Sequence, residues 1–404
     1  MTAAWVAALG ATLLMQTMAS FMTQSLPVIG PALTADFGLA PEAIGNLSAL
    51  NAFGTVFFLA FGSPVLARLG PVRMLQAGAA TAALGLLAVW IGTIPALVAA
   101  ALLLGLGYGP TPPAGSRILA ATAPAGHRTL IFSVKQAGAP AGGMLAGLVT
   151  APIAHLFGWQ VALAVCAACA CLSAWSIQPL RRTLDAEREP TRPVHPRALF
   201  APSTLIAPYR ALGLSPGLPL LTLLAVSFSL VQGCLFAFTV TWLVEVHGLS
   251  LIAAGNAFAA LQAAGVFARI FLGWLADRTG RPSLNLAMQG FVAAASVLLL
   301  ANLPVGTGAG VIVAAAALAG FFAVSWNGIY LAEVARLVPR NQVSEATSGS
   351  TVFTFLGYVF GPALFALAVP ASGGWALPMD AIAIQLALVA ALATPRVLRG
   401  GRPG

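Results

Sequence analysis

Two basic side chains, Lys135 and Arg269, interrupt long apolar stretches and have the chemistry needed to bind an anion. Lys135 is the sole lysine among the 19 lysine and arginine residues of the chain. An arginine presents a planar fork of N–H donors that matches a carboxylate, whereas a lysine presents a compact point charge. A third such cation, Arg117, lies near the end of its apolar stretch, from which its long side chain can reach water. Lys135 and Arg269 therefore predict anion binding.

The composition indicates that these cations lie within a membrane. Of the 404 residues, 59% are hydrophobic and 7% are charged, and the mean hydropathy is +0.93. These values lie outside the range of soluble domains. A charge at the centre of a membrane helix costs at least about 2.5 to 3.5 kcal/mol, so an embedded cation is a candidate functional residue. The net charge of +9 comes without a soluble basic face, so we expect no nucleic-acid partner.

Twelve segments are apolar over the roughly 20 residues that a spanning helix needs. They lie near residues 5–30, 44–66, 73–92, 96–119, 130–152, 159–178, 218–244, 251–275, 284–303, 308–331, 345–369 and 379–396. We therefore expect an all-α membrane protein with twelve transmembrane helices in two pseudo-symmetric six-helix bundles. The first segment lacks a positively charged start, so we expect a retained helix rather than a cleaved signal peptide.

The loops between these segments alternate in charge, and this alternation predicts the orientation of the chain. The arginines that follow the even-numbered helices are Arg68 and Arg73, Arg128, Arg181 to Arg210, Arg278 and Arg281, Arg336 and Arg340, and Arg396 onward. The opposite side carries acidic residues, namely Asp36, Glu42, Glu245 and Asp380. Because cytoplasmic loops are enriched in basic residues, we expect a multi-pass protein of a bacterial inner membrane with both termini in the cytoplasm.

A polar segment midway along the chain predicts its division into two halves. Residues 179–217 are rich in proline and arginine, and we expect them to form a cytoplasmic linker between six-helix halves at 1–178 and 218–404. Similar loops follow helix 2, SPVLARLGPVR (63–73), and helix 8, GWLADRTGRP (273–282). Parallel repeats of this kind are typical of one transporter architecture. We expect the protein to be a monomer.

The sequence does not favour catalytic chemistry. All four cysteines, Cys166, Cys169, Cys171 and Cys234, lie in apolar segments, and the CxxC pair at 166–169 has no histidine or second pair beside it. Neither a nucleophile with a matching base nor a soluble catalytic domain can be found, so we expect no enzyme, no cofactor and no metal. The GxxxxGK[ST] motif of ATP-driven proteins is missing, so we expect a gradient to supply the energy.

Several motifs resemble the major facilitator superfamily over the whole chain. The loop GWLADRTGRP is similar to the Gly-x-Leu-Ala-Asp-Arg-x-Gly-Arg loop of that family, and GLGYGP (105–110), FGWQ (157–160) and YLAEVARL (330–337) also resemble it. The resemblance implies a conformational latch formed by Gly273, Asp277, Arg278, Gly280 and Arg281. The copy in the first half has Ala67 and Pro71 where the family has an aspartate and usually an arginine, so its latch must be weaker or use other groups.

Arg269 also resembles a residue of particular families. It lies four residues before Gly273 in ARIFLGWLAD, the spacing at which monocarboxylate and oxalate/formate-type transporters carry a substrate-binding arginine. Their architecture implies that helix 5 packs against helix 8, with helices 1, 4, 7 and 10 around a cavity. Lys135 and Arg269 each lie about 9 Å from the middle of their helices, on the cytoplasmic side, so we expect them to clamp one anion. Alternatively, Arg269 bonds to a helix-end carbonyl or to the loop aspartate.

Polar and aromatic residues on the helices implied to line the cavity, together with helix 8, complete the predicted substrate site. They are Gln16, Gln24, Tyr108, Gln232, Gln262, Trp326, Asn327 and Tyr330. Such groups in a membrane protein line a pocket or form interhelical hydrogen bonds, and the sequence leaves both explanations open. We expect a secondary active transporter of small, monocarboxylate-like organic anions that works by alternating access, and the sequence leaves open whether protons are the coupling ion. The alternative is a proton-coupled exporter of amphipathic drugs or other metabolites, although ALLL (101–104) lacks the arginine that such exporters usually carry in helix 4.

Overall fold

The computed structural model describes residues 2–124, 128–195, 199–200, 206, 209–339 and 342–400, and helices joined by short connections make up this part of the chain. Twelve of the described helices are long and apolar enough to cross a membrane. A bilayer offers the backbone no hydrogen-bond partners, so helices, which pair these groups internally, are the expected result. The prediction of an all-α, twelve-helix membrane protein is confirmed, and the chain is a multi-pass integral membrane protein.

The spanning helices are labelled in chain order. Their bounds are α1 Thr2–Val28, α2 Ile44–Phe61, α3 Pro71–Ala88, α4 Ile94–Tyr108 with Thr111–Thr122, α5 Arg128–Leu145 with Ala151–Phe157, α6 Trp159–Ser176, α7 Leu218–Glu245, α8 Leu251–Thr279, α9 Pro282–Ala301, α10 Ala309–Ala323 with Asn327–Arg336, α11 Val343–Ser372 and α12 Ala376–Gly400. Short helical pieces flank the spans, and they are Gly30–Asp36, Pro41–Ala43, Ser63–Leu69, Val89–Ile91, Gln178–Leu180 and Arg181–Leu184. A π-helical turn, Ala146–Thr150, joins the two parts of α5.

The chain forms two compact units. One comprises residues 1–39 and 50–205, and the other comprises residues 40–49 and 206–404. Parts of the predicted linker, residues 196–198, 201–205 and 207–208, lie outside the described residues. Arg340 and the residues after Gly400, which also entered the orientation argument, lie outside them too.

Two helices, α4 and α10, are interrupted near their middle, and the two interruptions have different causes. In α4 the first part ends at Tyr108 and Pro110 precedes the second part, so the missing N–H of the proline accounts for the break. In α10 the break falls after Ala323, where the sequence has neither glycine nor proline. The interruption of α4 lies in the first unit and that of α10 in the second.

Glycines allow the helices within each unit to approach closely. A Cβ at Gly138 would lie 3.0 Å from the carbonyl oxygen of Leu13 on α1. A Cβ at Gly361 would lie 2.9 Å from the carbonyl oxygen of Leu230 on α7. These contacts show that the glycines of α5 and α11 serve helix packing.

Candidate transport site

Lys135 lies on the buried face of α5, with its side chain 1% exposed. Its ammonium group donates to Oε1 of the neighbouring Gln136 at 3.4 Å, which is a long hydrogen bond. Within the described part of the chain, no carboxylate lies within 4.0 Å of it. An ammonium group has three donors, so one long contact leaves it poorly compensated.

A glycine on α4 makes room for the lysine. A Cβ at Gly115 would lie 2.7 Å from Cε and 3.3 Å from Nζ of Lys135, and 3.8 Å from Cβ of Thr12 on α1. The end of the lysine side chain therefore lies beside α4 at a point where a larger residue would displace it. At Gly115, α4 therefore approaches both the Lys135 side chain of α5 and Thr12 of α1.

The polar face of α1 continues from Thr12. Gln16 lies one turn after Thr12, is 1% exposed, and donates to the hydroxyl of Tyr108 at 3.0 Å. Its Oε1 atom is buried and has no hydrogen-bond partner in the described structure. Ser20 donates to the carbonyl oxygen of Ala139 on α5 at 2.6 Å, whereas Gln24 is partly buried. Gln16 and Ser20 thus form interhelical hydrogen bonds, and Gln16 also retains an unused acceptor.

Arg269 lies in a different environment, at the interruption of α10. Its guanidinium donates to the carbonyl oxygen of Val324 at 3.3 Å, immediately after the first part of α10 ends. This is the helix-end contact that the sequence suggested as an alternative to substrate binding. A cation at this position also interacts favourably with the negative end of the helix dipole.

Two further side chains satisfy the carbonyl groups that the interruption releases. The hydroxyl of Ser325 donates to Phe321 at 2.6 Å, and the amide of Gln289 on α9 donates to Phe322 at 2.7 Å. A backbone carbonyl within a membrane must find a partner in the protein. The side chains of Ser325 and Gln289 therefore stabilise the break in α10.

Aromatic residues of the second unit surround Gln232 on α7. Its Oε1 accepts hydrogen bonds from the indole of Trp326 and from the hydroxyl of Tyr358, both at 2.8 Å. The Trp326 ring lies 5.8 Å from that of Tyr330, whose hydroxyl is 3.4 Å from Thr222. This cluster joins α7, α10 and α11, and Tyr358 was not among the residues that the sequence predicted.

Two predicted residues of the second unit keep unused polar atoms. Gln262 on α8 is 0% exposed, and neither its Oε1 nor its Nε2 has a hydrogen-bond partner among the described residues. The Oδ1 atom of Asn327, the first residue after the break, is likewise buried and unpaired there. Buried amides are normally hydrogen-bonded, so these three atoms are candidates for contact with a ligand.

Comparison with known proteins identifies the family. The family model described as the Major Facilitator Superfamily matches residues 12–362. The chain belongs to the major facilitator superfamily. A comparison with curated protein sequences gave no match.

Solved transporters share the fold of this chain at low sequence identity. A bacterial homologue of the human lysosomal transporter Spinster, in an inward-facing and unoccupied conformation, has a TM-score of 0.76 and 17% identity, with 99% of each chain covered. The peptide transporter POT in complex with sulfate has a TM-score of 0.76 and 15% identity, covering 97% of this chain and 95% of its own. A mutant of the nucleoside transporter NupG has a TM-score of 0.71 and 15% identity, with 98% of this chain and 100% of its own covered. This superfamily member is a transporter rather than an enzyme, and at such identities the likeness establishes the fold alone.

The superfamily loop after α8 has its predicted residues on the surface. Gly280, with φ of 62°, ends α8, and its N–H bonds to the carbonyl oxygens of Ala276 and Asp277. Arg278 lies over the ring of Trp274 at 5.5 Å, and Arg281 immediately precedes α9. A Cβ at Gly273 would meet no atom within 4 Å, so packing does not require glycine there.

An ion pair between a buried glutamate and an exposed arginine stands beside this loop. Glu333 on α10 is 0% exposed, and its carboxylate accepts two hydrogen bonds from Arg336, both at 2.6 Å. It also accepts from the hydroxyl of Ser283 in the first turn of α9. The YLAEVARL motif of the superfamily thus ties the end of α10 to the start of α9.

The corresponding loop of the first unit obtains its carboxylate from a distant segment. Asp185, just after the short helix Arg181–Leu184, accepts hydrogen bonds from the backbone N–H groups of Val72 at 2.7 Å and Arg73 at 3.1 Å, in the first turn of α3. Gly70 has φ of 88°, and a Cβ there would lie 2.6 Å from Cγ of Asp185. The family loop has an aspartate at the position of Ala67, and in this chain the carboxylate beside the loop belongs to Asp185 instead.

Neighbouring contacts hold the same segment against the first unit. The N–H of Glu189 donates to the carbonyl oxygen of Ala67 at 2.9 Å. Arg117 donates to the carbonyl oxygen of Glu187, also at 2.9 Å, so this embedded cation reaches the loop side of α4. Sequence reasoning missed Asp185, because nothing in the sequence links it to a helix that begins more than a hundred residues earlier.

Proposed function

We propose that this member of the superfamily is a secondary active transporter of small organic anions, with Lys135 as the residue that binds the negative charge. The observation that carries this proposal is the ammonium group of Lys135, which is buried, has one hydrogen bond of 3.4 Å and has no carboxylate beside it in the described structure. A buried charge without a counter-ion is costly, and a bound anion removes that cost. A cationic substrate would meet repulsion at the same point.

The other residues predicted from the sequence remain candidates for substrate contact within their own units. In the first unit they are Gln16, Gln24 and Tyr108, and in the second they are Arg269, Gln232, Gln262, Trp326, Asn327 and Tyr330. Amides and aromatic rings suit an anion that also carries an apolar or hydrogen-bonding body. Arg269 already has a backbone carbonyl as partner, so we assign it chiefly to the interruption of α10 and Lys135 to the anion.

Transport by alternating access needs contacts that change between states, and we propose that the superfamily loop provides them. Asp277 and Arg278 are exposed at the end of α8, and neither forms an ion pair with another described residue. Charges that are free in one state can pair in another, which would set the rate of the conformational cycle. Gly273, Gly280 and Arg281 belong to the same proposed latch.

We further propose that the arginine-rich side of the protein faces the cytoplasm of a bacterium, with both termini there. The support is the strict alternation of loop arginines along the sequence. Single cysteines at Glu187 and Ser372, introduced into a cysteine-free background, are expected to react oppositely with an impermeant reagent. We expect the reagent to label Ser372→Cys but not Glu187→Cys in intact cells. Labelling of Glu187→Cys alone would show that the protein has the opposite orientation.

The substrate class can be tested by uptake into proteoliposomes. Radiolabelled monocarboxylates, dicarboxylates and a lipophilic cation would be compared, each with and without a pH gradient. We expect saturable uptake of at least one carboxylate, lost in Lys135→Gln and retained in Ser176→Ala, a change of an exposed residue at the end of α6. Transport of the cation but of no carboxylate would reject the anion proposal and favour the drug exporter.

A further inference from the structure

A row of exposed side chains follows one face of α8 toward its C-terminal end. Phe267 is 69% exposed, Ile270 57%, Phe271 49% and Trp274 52%. Phe267 and Trp274 are two helical turns apart and the other two lie between them, so all four share one face of the helix. This row, the α8 stripe, is about 10 Å long, because a helix rises about 1.5 Å per residue. An apolar face this exposed on a spanning helix is suited to contact with hydrocarbon.

Positive charge stands at the end of the α8 stripe. Arg278, four residues after Trp274, is exposed, and its guanidinium carbon lies 5.5 Å from the centre of the Trp274 ring. Arg281, just before α9, is exposed as well, and no carboxylate among the described residues lies within 4.0 Å of either arginine. Asp277 is the neighbouring acid, and it points about 100° around the helix from Arg278. The stripe therefore ends at a charge that is available to an anion.

The corresponding face of the first unit is covered by the chain itself. When the loops after α2 and α8 are aligned on their positive-φ glycines, Phe57 and Phe61 of α2 occupy the positions of Phe267 and Phe271. The ring centre of Phe200, from the segment after α6, lies 6.1 Å from that of Phe57 and 4.7 Å from that of Phe61. Phe267 has no such cover in the described structure, as its exposure shows. The second unit thus leaves open a face that the first unit closes with an aromatic ring, and another molecule can occupy it.

We propose that an anionic phospholipid binds to this face, with an acyl chain along the α8 stripe and its phosphate on Arg278. The order of groups along the helix matches such a lipid, because apolar side chains are followed by a tryptophan, which favours the membrane–water interface, and then by an arginine. The planar guanidinium suits two oxygens of one phosphate. A zwitterionic lipid carries its own cation beside the phosphate, whereas an anionic lipid brings net negative charge to a loop with two arginines and one aspartate.

The lipid site bears on the proposed latch, to which Arg278 also belongs. A phosphate bound to Arg278 competes with any ion pair that this arginine forms in another state of the transporter. Anionic lipid is therefore expected to slow transport at saturating substrate. That consequence rests on the proposed function, whereas the lipid site does not, and lipid binding can be measured without transport.

The test is fluorine NMR of the full-length protein carrying 5-fluorotryptophan, one copy per nanodisc, as phosphatidylcholine is replaced stepwise by phosphatidylglycerol. The signals of Trp274 and Trp90 are identified by their loss in Trp274→Phe and Trp90→Phe. Trp90 is the internal control, because it is also 52% exposed and the loop beside it carries no arginine. We expect a saturable shift of the Trp274 signal and none of the Trp90 signal. Equal shifts of the two signals, or no saturable shift of Trp274, would overturn the proposal.

A pair of arginine variants tests the headgroup contact. Arg278→Gln removes the charge at the end of the α8 stripe and should weaken binding of phosphatidylglycerol about fivefold, measured from the midpoint of the Trp274 titration. Arg182→Gln makes the same change at an exposed arginine of the first unit and should leave that midpoint unchanged. Both residues are exposed, and thermal unfolding in detergent confirms that each variant is folded. An unchanged midpoint in Arg278→Gln, or an equal loss in Arg182→Gln, would refute the assignment of the phosphate to Arg278.

A change in the probe tests the contribution of the α8 stripe without altering the protein. Glycerol 3-phosphate offers the phosphate without acyl chains, and it would be added to the protein in nanodiscs of phosphatidylcholine alone. We expect no saturable shift of the Trp274 signal, because the stripe contributes only when a chain lies along it. A saturable shift as large as that produced by phosphatidylglycerol would show that Arg278 binds a free phosphate and would overturn the lipid proposal.

Discussion

Lys135 on α5 and Arg269 on α8 look alike in the sequence, yet their surroundings differ. Lys135 lies beside Gly115, and the hydrogen bond of its ammonium group is a long one to a neighbouring amide. Arg269 donates to a backbone carbonyl that the interruption of α10 has released. Lys135 occupies the space that Gly115 leaves, whereas Arg269 stabilises a helix end.

The difference shows how an embedded cation should be interpreted. Insertion cost alone marks both residues as functional, because each costs several kcal/mol in hydrocarbon. Burial and the kind of acceptor then separate the two, because Lys135 is fully buried beside a side-chain amide, whereas Arg269 is partly buried and donates to a helix-end carbonyl. By this criterion Lys135 is the stronger candidate for an anion contact.

The largest expected effect is on the stability of the empty protein when Lys135 becomes methionine. Replacing an uncompensated buried charge with an apolar side chain of similar volume should stabilise the protein by about 1 to 4 kcal/mol. Thermal unfolding in detergent, without carboxylates, measures this change. A lower unfolding temperature for Lys135→Met would mean that the ammonium has a partner that stabilises it.

Arg269→Met is expected to act in the opposite direction. It leaves the carbonyl oxygen of Val324 without its donor, and an unpaired buried group costs about 1 to 3 kcal/mol. The same unfolding measurement applies, with Arg278→Met as the control because Arg278 lies exposed over Trp274. If Arg269→Met stabilised the protein, Arg269 would be an uncompensated charge like Lys135, and the contrast between the two residues would not hold.

A comparison of Asp185 and Asp277 tests the roles of the loop before α3 and the loop after α8. Asp185→Asn weakens the cap on α3 and should destabilise the protein by about 0.5 to 2 kcal/mol. Asp277→Asn removes an exposed charge and should leave stability unchanged while slowing transport, with anion affinity preserved. Unfolding temperature, equilibrium binding and uptake rate would be measured for both variants. Loss of anion binding in Asp277→Asn would contradict its assignment to a latch.

Gln262→Leu should separate stability from function in the second unit. The amide of Gln262 is buried without a partner in the described structure, so leucine should stabilise the empty protein by about 1 kcal/mol. Substrate affinity should fall if this amide contacts the substrate. Gln385→Leu is the matched control. Gln385 accepts a hydrogen bond from Ser227 at 2.6 Å, so the same change there should destabilise the protein. Unchanged affinity in Gln262→Leu would remove it from the site.

His247, which lies away from Lys135 and Arg269, should make a smaller contribution to protein stability that depends on pH. Its ring packs edge-on against Trp242, with centroids 4.8 Å apart, and burial lowers the pKa of His247 from its ordinary value of 6.5. Below pH 6.5 the unfolded chain therefore binds a proton that the folded chain does not, and stability decreases as the pH falls. His247→Gln should reduce this decrease in unfolding temperature. An identical pH profile in the variant would show that another group titrates.

The twelve spans could be predicted because each is an apolar run of sufficient length. The break in α4 also has a local signal at Gly109 and Pro110. The break in α10 has weaker local signals in Ser325 and the Asn327–Gly328 pair, and it also depends on Gln289 of α9 and Arg269 of α8. Sequence patterns report local preferences, and this break depends on contacts between helices.

The candidate site divides in the same way. Lys135 stood out because a lysine in an apolar run is costly wherever it lies. The space beside Gly115 and the cap formed by Asp185 could not be predicted, since both depend on residues that are distant along the chain. The sequence could suggest a carbonyl contact for Arg269, but the choice between that contact and a ligand required the structure.

Anion binding by Lys135→Gln tests the central claim most directly. Glutamine keeps much of the length and removes the charge, so loss of a charged hydrogen bond of about 1.5 to 3 kcal/mol should weaken binding roughly ten- to a hundredfold. Lys135→Arg should weaken it less, because a planar fork keeps the charge but not the shape. Each variant would be titrated with the carboxylate that the transporter takes up best, after its thermal stability has been checked. A well-folded Lys135→Gln protein with unchanged anion affinity would contradict the account.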